Sequence, residues 1–424
     1  MTRLIVSDKK GRIFTHPHLE GAGMEAGHFF KLERSDLVKL PETSRLFMLP
    51  DRCAVGYEPI TKSMISINDH FAVSAFLPPG YTTTYNSAYK EICHPKMLPL
   101  FSYAAVVSIK GALYATALRV DKDLRHDSRL INIEIVKRNI KIFKKLFKNN
   151  RLLPHLEECA LIHGCPNAQN FFLHRCEAPL PTSPACNASC AGCISYQDGK
   201  TICATQPRIR FVPAPEEISD IALFHIDNVK DAIVSFGQGC EGEPLLSGKV
   251  IEKAIRLIRS KTSKGTININ TNASLPDTLS GLFNAGLDSM RVSLNSAQEK
   301  YYDRYYKPKG YDFEDVLHSI VTGKKKGIYI SLNYLTMPGF ADWKEEQVAL
   351  KRLVRDYKID MIQWRNLNFD PMEYFRLLKI RPEVYEIIGI KRTMMGLAKE
   401  FPRLKMGYFN PREAVSRHRS HREI

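Results

Sequence analysis

The stretch PTSPACNASCAGCISYQ (residues 181–197) places three cysteines, Cys186, Cys190 and Cys193, within eight positions. A structural zinc site needs four ligands, usually two Cys-x2-Cys pairs, and no cysteine follows Cys240 to supply a second pair downstream. Three thiolates instead suit a [4Fe–4S] cluster in which one iron lacks a protein ligand. Such an open coordination position is what a metal centre needs in order to bind and activate another molecule.

From residue 177 onward, short apolar segments alternate with longer amphipathic ones. Segments such as DAIVSFG, GTININTN and IYISLNYL are typical of buried parallel strands, and each β–α step takes about 25–35 residues, the size of a crossover. Ser274 is expected to cap one helix and Gly327 to end another. With a first strand at residues 178–183, the pattern predicts six parallel strands. Since eight strands close a full barrel, six predict an α/β fold with a partial (β/α)6 TIM-type barrel, whose site lies at the C-terminal strand ends, beside the cysteine loop.

The first 130 residues have another character, with β-branched and aromatic runs broken by Gly and Pro and a hairpin expected at Lys110-Gly111. A basic amphipathic helix follows at residues 135–153, then a cysteine-bearing linker. The N-terminal β-rich region therefore ends in a basic helix. We divide the chain into a β-rich domain at 1–130, the basic helix and linker at 131–176, the (β/α)6 core at 177–370 and a C-terminal helical extension with one short strand at 371–424.

The formal net charge of +16 and the pI near 9.3 are a genuine excess of base. Part of it lies on the basic helix, and we interpret this as one solvated face, with a nucleic-acid or membrane-surface patch as the alternative. The basic tail SRHRSHREI is short enough that we expect disorder. The lysines of that helix are Lys137, Lys141, Lys144, Lys145 and Lys148.

The cysteine loop resembles the signature of the radical S-adenosylmethionine (radical SAM) superfamily, Cys-x3-Cys-x2-Cys after the first strand of a partial barrel. The resemblance implies a [4Fe–4S] cluster held by Cys186, Cys190 and Cys193, with S-adenosylmethionine (SAM) chelated by the unligated iron. One electron would split SAM to methionine and a 5′-deoxyadenosyl radical, which abstracts hydrogen from a substrate in the barrel. No residue is assigned a catalytic role.

The segment SFGQGCEGEPLL (235–246) resembles the glycine-glutamate-proline stretch with which the family holds the amino group of SAM. The resemblance implies that Gly242 lets backbone approach the ligand, Glu243 supplies a carboxylate for the ammonium group and Pro244 stiffens the turn. The family's preceding glycine is Glu241 here, which either contacts the ligand or points to solvent.

Three further strand ends match the family in order. NTNAS resembles a Thr-Asn-Gly motif, with Asn270 and Asn272 facing one side. VSLNS places Ser293 and Asn295 where the family reads the ribose hydroxyls of SAM. The turn YLTMPGFAD (334–342) matches a recurring turn that borders the adenine.

Two aspects of the ligand site are less defined. The family's aromatic residue before the third cysteine is Gly192 here, so Tyr196 takes that place or is an ordinary surface tyrosine. The sixth strand, MIQWRNLNFD, carries unusually many polar residues for a buried strand. We interpret Gln363, Arg365 and Asn366 as substrate or cofactor contacts, the alternative being that they cap the barrel rim.

The remaining cysteines and histidines match no spacing that we recognise. A second cluster from Cys159, Cys165, Cys176 and Cys203 is one reading, and ordinary buried cysteines are the other. His155, His163 and His174 are more typical of ordinary residues than of metal ligands. Because no cysteine lies late in the chain, RNA methylation through a methylated cysteine is disfavoured.

The sequence leaves the substrate open between a peptide or protein and a small molecule, with RNA third, and it implies an electron donor such as flavodoxin or ferredoxin. No segment reads as a transmembrane helix or a signal peptide, so we expect a cytoplasmic enzyme. The competing hypothesis is a non-enzymatic zinc or iron–sulfur protein that binds nucleic acid. It requires a fourth nearby ligand and no Gly-Glu-Pro motif, the opposite of what the sequence contains.

Overall fold

The computed structural model describes residues 1–197, 201–381 and 386–410. The basic tail and the end of the predicted C-terminal extension lie outside these residues. None of the helices within the described ranges is both long and apolar enough to cross a lipid bilayer.

The described residues of the second half of the chain form a parallel sheet of seven strands in chain order, with helices between most of them. All six predicted strands are present, and a short seventh strand adds to the last edge, as expected for the C-terminal segment. The strands are β13 (Glu177–Pro179), β14 (Ile233–Phe236), β15 (Thr266–Thr271), β16 (Ser289–Leu294), β17 (Tyr329–Thr336), β18 (Met361–Asn366) and β19 (Lys405–Gly407). The helices are α4 (Pro215–Asn228), α5 (Gly248–Lys261), α6 (Pro276–Ala285), α7 (Glu299–Tyr306), α8 (Phe313–Lys325), α9 (Lys344–Asp356), α10 (Pro371–Leu378) and α11 (Ile390–Glu400).

The two faces of this sheet differ because successive side chains of a strand point in opposite directions. On β16, Met290, Val292 and Leu294 are fully buried and belong to the main apolar core with the helices. The opposite face is polar, and Arg291 on β16 donates a hydrogen bond across β17 to Gln363 on β18 (3.2 Å). This contact across the intervening strand fits a curled sheet, a half-barrel whose concave face is polar.

Twelve antiparallel strands make up the N-terminal region, as its β-rich sequence predicts. The hairpin at Lys110-Gly111 is confirmed, since Ile109 pairs with Ala112 across it. The strands are β1 (Arg3–Ser7), β2 (Ile13–Thr15), β3 (Ala22–Glu25), β4 (His28–Lys31), β5 (Leu37–Lys39), β6 (Arg45–Glu58), β7 (Ser63–Phe76), β8 (Tyr81–Thr83), β9 (Asn86–Ser87), β10 (Tyr89–Glu91), β11 (Ala104–Ile109) and β12 (Ala112–Arg119).

Three helices connect the two sheets, α1 (Ile133–Leu146), α2 (Leu152–Leu161) and α3 (Pro166–Phe172). The single basic helix predicted at 135–153 is wrong in its length, because the chain turns after Leu146 and a second helix begins at Leu152. The inner face of α1 packs into the core of the half-barrel, and its lysines stay exposed. Our division of the chain at 130, 176 and 370 stays a prediction.

The N-terminal sheet docks on the end of β18. The Thr82 hydroxyl donates to the Trp364 carbonyl (2.7 Å), and the Asn366 amide exchanges hydrogen bonds with the backbone of β8. Buried Arg52 pairs with buried Asp370 just beyond β18 (2.8 Å). Asn366 is therefore a rim residue that binds a neighbouring element, as the alternative interpretation of this strand held.

The two helix ends singled out in the sequence differ in outcome. Gly327 has a positive φ of 69° just after α8, which confirms it as a helix end. Ser274 does not cap α6, whose N-cap residue is Leu275. The Ser274 hydroxyl instead accepts a hydrogen bond from Asn187 in the cysteine loop (2.9 Å), so its partner lies far away in sequence.

Candidate active site

The cysteine loop lies directly after β13, at the C-terminal edge of the half-barrel. It runs against residues 305–309, where Ala191 N–H donates to Tyr305 O (3.0 Å) and Ser189 N–H donates to Tyr306 O (2.9 Å). The Gln197 amide closes the loop from its other end by donating to the carbonyls of Ala191 (3.0 Å) and Cys193 (2.7 Å). These bonds fix the backbone that presents the three thiols.

Packing against a neighbouring tyrosine explains why a glycine stands at position 192, which the sequence did not reveal. A Cβ at this position would lie 2.6 Å from the Tyr305 hydroxyl oxygen, so a larger residue forces that ring to move. Tyr305 and its helix neighbours Tyr302 and Tyr306 are buried, and the charge of the Cys190 thiolate is among the causes that raise their pKa values after burial itself. Aromatic rings from α7 thus pack against the cysteine loop at Gly192, the position where the family has an aromatic residue.

The three thiols are half-buried and electrostatically unequal. Burial raises the pKa of Cys190, and the nearby Cys193 and Cys186 raise it further. Burial alone would raise the pKa of Cys193 too, but hydrogen bonds from Ser195 and Arg208 outweigh it and lower that pKa. The Arg208 guanidinium lies 3.5 Å from the Cys193 sulfur, so a cation faces the loop and favours thiolate there.

A cavity of about 630 Å³ opens beside the loop and is lined in part by Cys190, Cys193 and Arg208. Tyr196 also lines it, with 60% of its side chain exposed and its ring 5.2 Å from the Arg208 guanidinium. The adenine role of Tyr196 stays a prediction.

The turn after β14 packs against the start of the cysteine loop. A Cβ on Gly242 would lie 1.9 Å from the Ala185 carbonyl oxygen, a distance that no side chain tolerates. Gly242 N–H also donates to Ser183 O (2.7 Å). This glycine is therefore required for close approach of the two loops, and backbone approach to a ligand stays a prediction.

Glu241 is buried and holds the two loops together. Its Oε2 accepts hydrogen bonds from the Thr182 amide, the Thr182 hydroxyl and the Ser183 amide, and its Oε1 accepts from the Gly237 and Gln238 amides. Of the two alternatives for Glu241, a ligand contact or a position facing solvent, the second is wrong because the residue is buried. With both oxygens engaged by the chain itself, it is a structural anion between the cysteine loop and the turn.

Glu243 lies one residue beyond the glycine and is also buried. Its carboxylate accepts from the Leu245 and Asn272 amides (3.1 and 2.9 Å) and from the Thr271 hydroxyl. Burial raises the pKa of Glu243 to about 7, against the lowering effect of these bonds. Pro244 follows as the first residue of a 3-10 turn at 244–247.

Asn272 links the third strand end to the cysteine loop. Its amide donates to Asn187 Oδ1 (2.8 Å), and its own Oδ1 accepts from Ser274 N–H (3.0 Å). Asn270 lies lower on the concave face, donating to Gly237 O (3.1 Å). The structure thus brings the NTNAS segment, the cysteine loop and the Glu243 turn together.

Ser293 and Asn295 do not share one environment. Ser293 is half-buried on the concave face, whereas Asn295 is fully buried and donates to Tyr301 O and the Tyr374 hydroxyl (both 3.1 Å). The Asn295 Oδ1 has no hydrogen-bond partner among the described residues. Their expected role toward the ribose stays a prediction.

The turn after β17 is covered by the N-terminal sheet. Asn86 Nδ2 lies 3.5 Å from Met337 Sδ, and buried Asp342 faces Glu25 at the end of β3. Burial, together with the neighbouring Asp342 charge, raises the pKa of Glu25 to about 10. The adenine contact predicted for this turn stays a prediction.

The upper part of the concave face is open as well as polar. Arg291, Ser293, Asn333 and Arg365 are only half-buried, although residues on the opposite face of the same strands are fully buried. Burial, together with the charge of Arg365, lowers the pKa of Arg291 to about 9, so the two guanidinium groups lie near one another.

Sequence reasoning missed several residues that build this site. Asn187 had a weak signal, as a polar residue directly after the first cysteine, and the tyrosines of YYDRYY had one in their density. Arg208 had none, because it reaches Cys193 from a separate segment.

Residues 180–350 match the family model described as the radical SAM superfamily. Comparison with curated protein sequences gave no match.

Comparison with solved structures gave partial similarities. HydG, described as a maturase of the [FeFe]-hydrogenase, is 16% identical over 66% of this chain and 64% of that chain, with a TM-score of 0.39. Streptococcus suis SuiB bound to precursor peptide SuiA is 15% identical over 64% and 62%, with a TM-score of 0.40. A radical SAM methyltransferase from Sphaerobacter thermophilus is 13% identical over 56% and 67%, with a TM-score of 0.39. The match spans less than two thirds of HydG, and at these TM-scores none of the three supports a conclusion about this chain.

Proposed function

Because this chain belongs to the radical SAM superfamily, an enzyme superfamily whose cofactors are a [4Fe–4S] cluster and SAM, we propose that it uses both to abstract hydrogen from a substrate held in its half-barrel. When bound, these cofactors supply reductive cleavage of SAM and the 5′-deoxyadenosyl radical. The finer architecture that we propose is a partial (β/α)6 TIM-type barrel, supported by the six strands β13 to β18 in chain order.

The observation that carries the proposal is the convergence of three loops at one edge of the sheet. Cys186, Cys190 and Cys193 would hold the cluster, and the Arg208 hydrogen bond to the Cys193 sulfur suits a negatively charged thiolate group there. Glu243 lies on the adjacent turn, buried and in contact with the loop through its N–H bond to Ala185 O (2.9 Å).

We assign the amino group of SAM to the Glu243 carboxylate, with Gly242 and Pro244 shaping the turn and Asn272 fixing it to the cysteine loop. Two buried glutamates lie here, but Glu241 is saturated by five donors from the chain, so Glu243 is the one able to serve a ligand. Ser293 and Asn295 are proposed for the ribose. Rim hydrogen bonds and the aromatic wall from α7 would exclude water.

For the substrate, we propose an anionic group, carboxylate or phosphate, facing Arg291 and Arg365. The carboxylate whose charge acts on Arg291 is that of Glu177, which already pairs with Arg125 (3.5 Å). Arg291 Nε has no hydrogen-bond partner among the described residues. Two cations in a polar, half-open space favour an anion between them. This fits a peptide carboxylate as well as a small acid, so it does not choose between those classes.

This arginine pair can be tested with inorganic phosphate and acetate as probes. We expect phosphate to raise the midpoint of thermal unfolding of the wild type and to leave that of Arg291→Met unchanged. An equal shift in both proteins would remove the arginine pair from the proposal.

The activity itself is tested by reducing the anaerobically reconstituted protein with dithionite, adding SAM and measuring 5′-deoxyadenosine. We expect product from the wild type and none from Cys190→Ala. Equal product from both proteins would contradict the proposal. In the cell we expect a cytoplasmic donor such as flavodoxin or ferredoxin to take the place of dithionite.

A further inference from the structure

A second group of metal-type donors lies apart from the cysteine loop. His155 and Cys159 stand one turn apart on α2, so their side chains share one face of the helix. Cys240 approaches them from the turn after β14. The donor atoms of the three residues all lie within 4.8 Å of one another, and the His155 Nε2 to Cys159 Sγ distance is 3.6 Å.

The environment of these donors is protected but not sealed. Cys159 and Cys240 are 2% and 3% exposed, whereas His155 is half-buried. Thiol sulfur and imidazole nitrogen are donor types that zinc takes in proteins.

A fourth cysteine lies on the neighbouring segment. Cys165 is partly exposed and directly precedes α3, and its thiol lies outside the group of three donor atoms within 4.8 Å of one another. The Cys165 amide also donates to the Cys159 carbonyl (2.9 Å), which fixes the two segments together.

We propose that His155, Cys159 and Cys240 bind a zinc ion, with Cys165 completing its coordination. One imidazole nitrogen and three thiolates form a tetrahedral Cys3His set, which structural zinc sites use. The cluster set suggested by the sequence, Cys159, Cys165, Cys176 and Cys203, is a different one, and Cys203 is exposed.

A zinc ion here ties α2 to the turn that also carries Glu241 and Glu243. Cys240 directly precedes Glu241, and its carbonyl accepts a hydrogen bond from Ile209 N–H (2.8 Å), one residue after Arg208. The proposed zinc is therefore structural: it fixes the position of the turn that contacts the cysteine loop. The site itself does not depend on the proposed function.

The test measures metal content by mass spectrometry in a protein that lacks the loop thiols, Cys186→Ala/Cys190→Ala/Cys193→Ala. We expect about one zinc ion per chain. In that background Cys159→Ser and Cys240→Ser should each remove the zinc, and the matched control Cys53→Ser, at a buried cysteine of the N-terminal sheet, should keep it.

Zinc that persists in both serine variants would overturn the proposal, as would a folded, zinc-free parent with a Cys159–Cys240 disulfide, or iron in place of zinc. A second measurement does not need the triple variant. The wild type grown with cobalt should show the visible absorption of thiolate-bound Co²⁺, and Cys159→Ser should lose it while retaining the iron of the loop. Absence of that absorption from the wild type would count against the site.

Discussion

The cysteine loop and the His155–Cys159–Cys240 group lie on opposite sides of one short turn, residues 237–243, yet they differ in how they are built. The loop takes its three thiols from eight consecutive positions and is half-open to a cavity. The second group joins a helix to a distant turn, and its thiols are buried. A compact local motif suits a site that exchanges ligands, and a constellation assembled by folding suits a permanent structural ion.

The largest expected effect concerns the cysteine loop alone. Cys190→Ala should abolish the cluster, and with it the brown absorption near 400 nm of reconstituted protein, because two thiolates cannot hold it. The proposed zinc should remain. Cys93→Ala, at an exposed cysteine, is the matched control and should retain full iron content. Full iron content in Cys190→Ala would contradict the assignment.

Glu241 joins the two sites, so its substitution should disturb both. Glu241→Gln places an amide where five donors point, and we expect a loss of about 2–4 kcal/mol in the free energy of unfolding. Chemical denaturation measures this, with exposed Glu345→Gln as the control. Unchanged stability would mean that the hydrogen bonds of Glu241 do not stabilise the contact between the cysteine loop and the turn after β14.

Glu243 should affect the binding of SAM beside the cysteine loop through the charge of its carboxylate. Because burial raises its pKa to about 7, protonation below that pH removes the carboxylate that an ammonium group needs. SAM affinity should therefore rise with pH toward 7 and level off above it, by up to about tenfold per pH unit below the pKa. Calorimetric titration of Glu243→Gln should give weaker, pH-independent binding with iron unchanged. A pH dependence equal to that of the wild type would remove this role.

The smallest effect is expected from a substitution on the basic face of α1, next to the helix that carries His155 and Cys159. Lys144 pairs with Glu157 on α2 (2.7 Å), but both side chains contact solvent. Lys144→Ala should change the free energy of unfolding by about 0.5 kcal/mol or less and leave iron and zinc contents as they are. A larger loss, or loss of zinc, would show that α1 positions α2.

The same contrast explains what the sequence could predict. The parallel strands and the loop follow from short-range patterns, namely apolar runs, turn residues and cysteine spacing. The His155–Cys159–Cys240 group does not, because His155 and Cys240 meet only when folding brings α2 to the turn that follows β14. The sequence left the role of Glu241 open for a related reason: its donors, from Thr182 to Gln238, come from two loops whose approach no local pattern encodes.

Helix boundaries failed where tertiary contacts override local preference. Ser274 is a good N-cap residue by type, but Asn187 engages its hydroxyl and the helix starts one residue later. The basic stretch at 135–153 has one continuous periodicity, yet Asn150 breaks it by donating to the Glu217 carbonyl (2.8 Å) of α4.

The most direct test of the cluster proposed on the cysteine loop is the electron paramagnetic resonance spectrum of the dithionite-reduced protein before and after addition of SAM. Our account predicts a reduced [4Fe–4S] signal in the wild type that changes when SAM binds the open iron, and no such signal in Cys190→Ala. A wild-type signal that SAM leaves unaltered would contradict it, because the cluster would then have no position open to the cofactor.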